Sequence, residues 1–361
     1  MNVLILGYGY MGRIRARVLR KNPDVQRIII MDPGIDDSEI TSGAASASRS
    51  HASAVDLEGV SLHKGENVPW DQCDAVFICT PNNVTADLCA QALRRGKHVF
   101  CEKPPGRNWE DFSRICDAAS NLQGQTLVFG FNHRLHPSIQ AARTLIGKGG
   151  LGEILYLKGT YGKSGGSRYR ESWRNNPEIS GGGILLDQGI HMLDLFHLFL
   201  GPLNVVESVL TDSFWGCGVE DNAFVLLKSE IGIPAFLHSS ATLWKHTFRI
   251  EIGCRDGYLI ATGLLSQSGS YGREQLIVGR RQFEDEALAL GNPREEIIHF
   301  DRDDSWEKEV QEFICSVKEK RPANHGTLEE ARRVMQIIRD AYASSQRDFA
   351  LTFCRKPSRR H

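Results

Sequence analysis

Through the first 130 residues, short apolar runs alternate with amphipathic stretches, the pattern of parallel strands joined by crossover helices. Residues 3–6 read as a first strand, and a helix over 13–22 carries Ile14 and Val18 about one turn apart. Asn22-Pro23 ends it, because proline pushes the preceding residue out of helical geometry. The next strand covers 27–31. The small, polar stretch at 33–59 fits either a loop or a weak helix. The alternation then resumes with strand 75–80, helix 84–95 ended by Gly96, strand 98–101, helix 109–121 and strand 126–131.

Past residue 150 the rhythm changes. One long apolar helix spans 185–200, and runs at 205–211, 223–229, 235–243, 248–253 and 258–262 suit a largely antiparallel sheet. Two helices, 305–318 and 328–343, close the chain, and the basic tail 355–361 reads as a frayed end.

Length agrees with this division, since 361 residues suit two domains. The 43 Lys and Arg nearly cancel the 44 Asp and Glu. No global field then draws nucleic acid or an anionic membrane, and a small soluble ligand is expected. Nine cysteines form no CxxC pair, and several lie in apolar runs such as 76–79. They read as reduced thiols in the cytoplasm. The start lacks a basic flank and a long apolar run, so neither a signal peptide nor a membrane span is expected.

Chemistry enters at Gly7-Tyr8-Gly9-Tyr10-Met11-Gly12, between a strand and a helix. The first glycine permits a tight turn, the second lets a pyrophosphate approach the backbone, and the third lets helix and strand pack closely. The helix N-terminus then faces the phosphates. Asp32 ends the second strand twenty positions after Gly12. A carboxylate there accepts both ribose hydroxyls and repels a 2′-phosphate, which favours NAD without excluding NADP. The expected N-terminal fold is a Rossmann-type dinucleotide-binding domain.

Within 185–200, Asp187, His191 and Asp194 fall at i, i+4 and i+7 of an otherwise apolar helix. Buried charge must be partnered or face a cavity. The stripe is either a satisfied core network or an acid/base site. A metal site would need a further ligand, and no Cys or second His shares the stripe, so no metal is expected. The entry at Ser180-Gly181-Gly182-Gly183, which would let backbone approach a ligand, and the upstream dinucleotide motif favour the acid/base reading. Oxidising an alcohol requires removal of its hydroxyl proton, which a His can accept while a nearby cation stabilises the alkoxide. Lys103, just past the strand ending at Cys101, is the candidate cation.

Together, residues 7–12, Thr80-Pro81-Asn82, Gly96-Lys97-His98-Val99 leading to Glu102-Lys103-Pro104, and 181–183 followed by Asp187, Gly189, His191 and Asp194 form an ordered set. The chain resembles the glucose–fructose oxidoreductase, inositol dehydrogenase and MocA family. The resemblance implies a Rossmann domain at 1–130. It also implies an α/β substrate-binding and oligomerisation domain at 131–361, with a large open, mostly antiparallel sheet that commonly builds dimers or tetramers. It gives Lys103 contact with the reacting hydroxyl, His191 the general acid/base role, and Asp187 the orienting of His191 or substrate. Thr80, Pro81 and Asn82 would lie against the cofactor, with Glu102 and Pro104 shaping the turn that presents Lys103. One position departs: the family often has His where this chain has Thr85.

The implied reaction moves a hydride between a nicotinamide and a hydroxyl or keto carbon of a sugar, cyclitol or sugar derivative. A variant of it uses tightly bound NAD for elimination or glycoside cleavage. A third reading is a ligand sensor without catalysis, against which the intact Lys103, Asp187 and His191 speak. Arg168, Arg170 and Arg174, with Tyr169 and Trp173, precede the glycine triplet. Forked guanidiniums suit phosphate or carboxylate and aromatic faces suit sugar rings. They mark either an anionic sugar site, with Arg134 a further candidate, or a solvated loop.

Overall fold

The computed structural model describes residues 1–35, 60–65, 67–120, 122–266, 269–282 and 291–352. Residues 36–59, most of the stretch legible as loop or weak helix, lie outside these, as do Cys354 and the basic tail. The first sheet holds six parallel strands: β1 (Asn2–Leu6), β2 (Arg27–Met31), β3 (Val60–His63), β4 (Ala75–Ile78), β5 (His98–Cys101) and β6 (Leu127–Phe129). Their order is β3-β2-β1-β4-β5-β6. The chain leaves β1 toward one edge and returns to β4 on its other side. The crevice at this reversal, beyond the carboxyl ends of the strands, is where such sheets bind ligands.

Both faces of the sheet are covered, so its strands are apolar throughout. Leu4, Leu6, Ile29 and Val76 pack on one side with Cys89 and Leu93 of α2 (Asn82–Arg94) and with Phe112 and Ile115 of α3 (Trp109–Ala119). Val3, Ile5, Ile28, Ile30, Phe77 and Phe100 face the other side, against Ile14 and Leu19 of α1 (Tyr10–Arg20). A distant helix, Ser305–Glu319, completes that side: its Phe313 ring lies 5.2 Å from Phe77 and 5.8 Å from Phe100. Part of the 131–361 region therefore packs into the core of the first sheet.

Three more helical elements follow in the chain: α4 (Pro137–Gly147), the single turn α5 (Pro177–Ser180) and α6 (Ile190–Leu200). The helix expected over 185–200 is interrupted, because Leu185–Gly189 forms a π-helical turn before α6 begins. By length and composition Pro177–Leu200 could cross a membrane, but 67% of its most apolar window is buried inside the protein as a core helix.

The second sheet has eight strands: β7 (Ile154–Gly162), β8 (Leu203–Thr211), β9 (Asn222–Ser229), β10 (Pro234–Ser240), β11 (Thr247–Cys254), β12 (Gly257–Thr262), β13 (Glu274–Arg280) and β14 (Glu295–Phe300). Their order is β14-β13-β12-β11-β7-β10-β9-β8, antiparallel except between β7 and β10. Five of the eight follow the expected runs; β7, β13 and β14 do not. Gly159 interrupts the β7 pattern, and a Cβ there would lie 2.6 Å from Met192 of α6. Its place is set by packing that no local pattern encodes. One face packs on α6 and on the helix numbered α8 (Leu328–Thr352), which follows α7 (Ser305–Glu319). The opposite face leaves Leu155, Tyr156, Val206, Val209, Phe224 and Leu226 exposed.

Candidate active site

A cleft of about 450 Å³ opens at the crevice predicted by the strand order, lined on one side by Gly7, Gly9 and Thr80 and on the other by Lys103, Asp187 and His191. Gly7 has φ +92°, and a Cβ there would lie 2.6 Å from the Cys79 carbonyl oxygen, so only glycine fits. Gly9 is the reverse: a Cβ would meet nothing within 4 Å, leaving room beside the N-terminus of α1 for a phosphate. Gly12 lies beneath the turn, and Tyr8 is buried with its ring under Arg13. Neither lines the cleft, whereas Tyr10 and Met11 do.

Asp32 also lines it. Its carboxylate accepts the N–H of Tyr8 at 2.6 Å and of Gly34 at 2.7 Å, which fixes the glycine turn against the end of β2. The open space over Gly9, the free end of α1 and this carboxylate fit a dinucleotide. Opposite them, the Thr80 hydroxyl lies 3.1 Å from that of Thr85, which donates to the Pro81 carbonyl at 3.0 Å. Thr85 thus closes the turn from within. Thr80, Pro81 and Asn82 line the cleft, and the Asn82 amide donates to the Ser180 carbonyl at 2.8 Å, tying the two sheets' regions together.

Glu102 lines the cleft while accepting a 2.6 Å bond from the Arg15 guanidinium, whose other arm reaches Glu309 of α7 at 2.6 Å. The following Lys103 extends its ammonium to the Asp187 carbonyl at 2.6 Å and to the Asp187 carboxylate at 3.5 Å. Burial lowers the Lys103 pKa from its ordinary value, and Asp187 opposes that shift. Asp187 sits among three cations: Lys163 at 2.9 Å, Lys103 at 3.5 Å and Arg174 at 3.5 Å. Burial alone would raise its pKa, but Lys163, Lys103 and Arg174 outweigh it and hold the carboxyl well below the usual range.

The His191 ring is buried, and its Nδ1 has no hydrogen-bond partner. It stacks on His133 with centroids 3.7 Å apart. Burial, then Lys103 and His136, push the His191 pKa well below its ordinary 6.5, so the imidazole is neutral near pH 7. His133 in turn bonds the Tyr161 hydroxyl at 3.1 Å, and His136 the buried Glu274 carboxylate at 2.9 Å.

The stripe of three ionisable groups thus divides. Asp187 and His191 face the cleft, whereas Asp194 is fully buried behind them and paired twice, at 2.6 Å each, with Arg134. Arg134 also bonds Glu330, is itself buried and does not line the cleft. The expectation that Arg134 binds substrate is therefore corrected: its guanidinium is consumed by two carboxylates of the core. Arg168 is corrected likewise, since its largely exposed side chain pairs with Glu171 away from the cleft. Trp173 and Arg174 do line it, with the guanidinium 4.5 Å from the Trp173 ring centroid. The glycine triplet serves packing more than ligand approach, since a Cβ on Gly183 would lie 2.0 Å from the Glu220 carbonyl oxygen.

Lys163, Tyr161, His133, His136 and Tyr271 were not legible as site residues. Lys163 and Tyr161 belong to β7 and its end, a strand the pattern hid. His133 and His136 flank Arg134 in a segment whose charge drew attention to the wrong side chain. Nothing in the sequence marks Tyr271.

Comparison with known proteins agrees with this fold. Residues 1–131 match the family model described as "Oxidoreductase family, NAD-binding Rossmann fold", and residues 139–260 match the GFO/IDH/MocA C-terminal domain. A D-glucoside 3-dehydrogenase of Escherichia coli (strain K12) is 33% identical over 185 residues, 48% of this chain. The chain spans about half, 51%, of that relative's length. An inositol 2-dehydrogenase of Rhizobium meliloti (strain 1021) is 28% identical over 263 residues, covering 71% of this chain and 74% of that protein. A solved levoglucosan dehydrogenase in complex with NADH superposes with TM-score 0.78 at 18% identity, over 96% of this chain and 97% of that one, which shows a shared fold. The chain belongs to the GFO/IDH/MocA oxidoreductase family, with an NAD-binding Rossmann domain at its N-terminus.

Proposed function

We propose that this protein is an NAD(P)-dependent dehydrogenase or reductase acting on a CH–OH or keto carbon of a sugar, cyclitol or anionic sugar derivative. The observation that carries the reading is the convergence of Lys103, Asp187 and His191 on the cleft that also holds the glycine turn and Asp32. When bound, the nicotinamide supplies the hydride acceptor or donor. In the oxidative direction the neutral His191 takes the hydroxyl proton, and the Lys103 ammonium stabilises the negative charge that develops on oxygen. Asp187 keeps Lys103 aimed through its carbonyl and carboxylate, so Asp187 is a positioning residue. In the reductive direction the same groups return the proton.

Three cations, Lys103, Lys163 and Arg174, surround the single carboxylate of Asp187. This positive excess supports a phosphate or carboxylate on the substrate. NADH titration followed by turnover across neutral and anionic sugars tests the reading. Arg174→Ala raises KM for the anionic substrates and leaves that for neutral ones; an equal KM for both contradicts the anionic part. The exposed apolar face of the second sheet supports a homodimer or homotetramer, which light scattering measures directly.

A further inference from the structure

Outside the lining of the cleft, Phe214 and Trp215 from one loop and Trp244 from another form an aromatic cluster, with Phe214 and Trp244 edge to face. Phe214 and Trp244 are 54% and 58% exposed with ring centroids 4.9 Å apart, an unusual placing for two large aromatics. Two further observations show that the exposure is built. The Phe214 loop is pinned by five backbone N–H groups. Those of Ser213, Phe214 and Trp215 donate to the Asp221 carboxylate, and those of Gly216 and Gly218 donate to Asp212, at 2.7–3.2 Å. Trp244 has φ +56°, a left-handed conformation that bulky side chains avoid. A strained, exposed Trp held against a rigid exposed Phe is a surface prepared for a ligand.

The cluster is tied to the reaction centre along two routes. The Trp215 indole donates to the Ala241 carbonyl at 3.1 Å and its ring lies 4.5 Å from Tyr169, whose ring is 5.5 Å from the ammonium of Lys163, the residue bound to Asp187. In the other loop, two residues past Trp244, the His246 ring lies 5.0 Å from that of Tyr271, which lines the cleft.

We infer that Phe214 and Trp244 form a subsite for a second ring of the substrate, a neutral sugar ring linked to the one that reacts. This rests on the proposed carbohydrate chemistry and extends it: the preferred substrate is a glycoside of at least two rings. Pyranose rings present flat C–H faces that pack on aromatic planes, and the pinned Phe214 loop presents its ring without ordering upon binding.

The test compares one-ring and two-ring ligands, methyl glucoside against maltose and cellobiose, on the NAD-loaded protein. Binding is followed by calorimetry and turnover by NADH absorbance. In the wild type a two-ring ligand binds more tightly than the one-ring ligand. Trp244→Gly, which relieves the left-handed strain and so keeps the protein folded, and Phe214→Ala each lower the two-ring to one-ring preference by about tenfold, the scale of one aromatic contact. Trp244→Phe restores most of it. A wild type without preference overturns the subsite, as does a preference the variants do not alter. A change of molecular mass in the variants also overturns it, by showing that a second copy of the chain covers the cluster. Because calorimetry reads binding without turnover, loss of catalysis across all ligands contradicts the proposed reaction separately.

Discussion

Replacing Arg134 by Met removes a guanidinium that the structure places wholly in the service of folding. Its partner Asp194 has no exposed side-chain surface and accepts two bonds of 2.6 Å from it, while Arg134 itself is 4% exposed. The variant strands an uncompensated carboxylate in the core between α6 and the segment leading into α4. Breaking a buried pair from one side costs about 3–5 kcal/mol. The second partner, Glu330, keeps its bonds from Thr327 and some contact with water, so it adds little. Urea unfolding followed by circular dichroism measures the loss as a lowered midpoint with unchanged slope. The double variant Arg134→Met with Asp194→Leu recovers most of it, because an apolar pair of similar volume is often as stable as the ion pair. Throughout, KM for substrate in the folded fraction shifts less than about twofold. A loss under about 1 kcal/mol together with a raised KM would refute the reasoning and return Arg134 to the substrate site.

Three other predictions rest on single groups. Asp32→Ser removes the carboxylate that repels a 2′-phosphate, so the preference for NAD over NADP falls by about tenfold or more in paired binding titrations; an unchanged preference places cofactor selection elsewhere. Because burial and Lys103 depress His191, the acid limb of kcat/KM lies below pH 6.5, the ordinary histidine value, and a limb above it contradicts the neutral base. Burial raises Glu309 from 4.5 to about 7, so its folded form holds a proton that the unfolded chain releases. Its contribution to stability is complete below pH 4.5 and is lost as pH rises through 7. Glu309→Gln flattens that slope in a thermal-melt series, and an unaltered slope assigns it to another group.

How much of this was legible in the sequence follows from how local each cause is. The six-residue glycine turn, Asp32 and the apolar strands of the first sheet are set by nearest neighbours and by burial on both faces, and both leave a periodic trace. Asp187 and His191 stood out because charge in apolar surroundings needs an explanation, and Lys103 because it follows the strand ending at Cys101, at the sheet edge where such folds bind ligands. Periodicity placed Asp194 on one stripe with Asp187 and His191 but left its partner unread: only the fold brings the Arg134 guanidinium to it and leaves the other two at the cleft. Lys163 and Tyr161 were hidden because β7 contains Gly159, placed by contact with Met192 far along the chain. Arg134 illustrates the limit of reading charge alone: a guanidinium serves an anion, but only the fold tells whether that anion is a ligand or Asp194.

Hydride transfer assisted by Lys103 and His191 in the cleft beside Gly9 is read out by NADH absorbance in single-turnover mixing of NAD-loaded wild type and Lys103→Met with a carbohydrate panel. The wild type reduces NAD with at least one carbohydrate, and the variant does so at a rate lower by roughly 10²-fold at similar cofactor affinity. Equal rates in the two proteins would contradict that assistance.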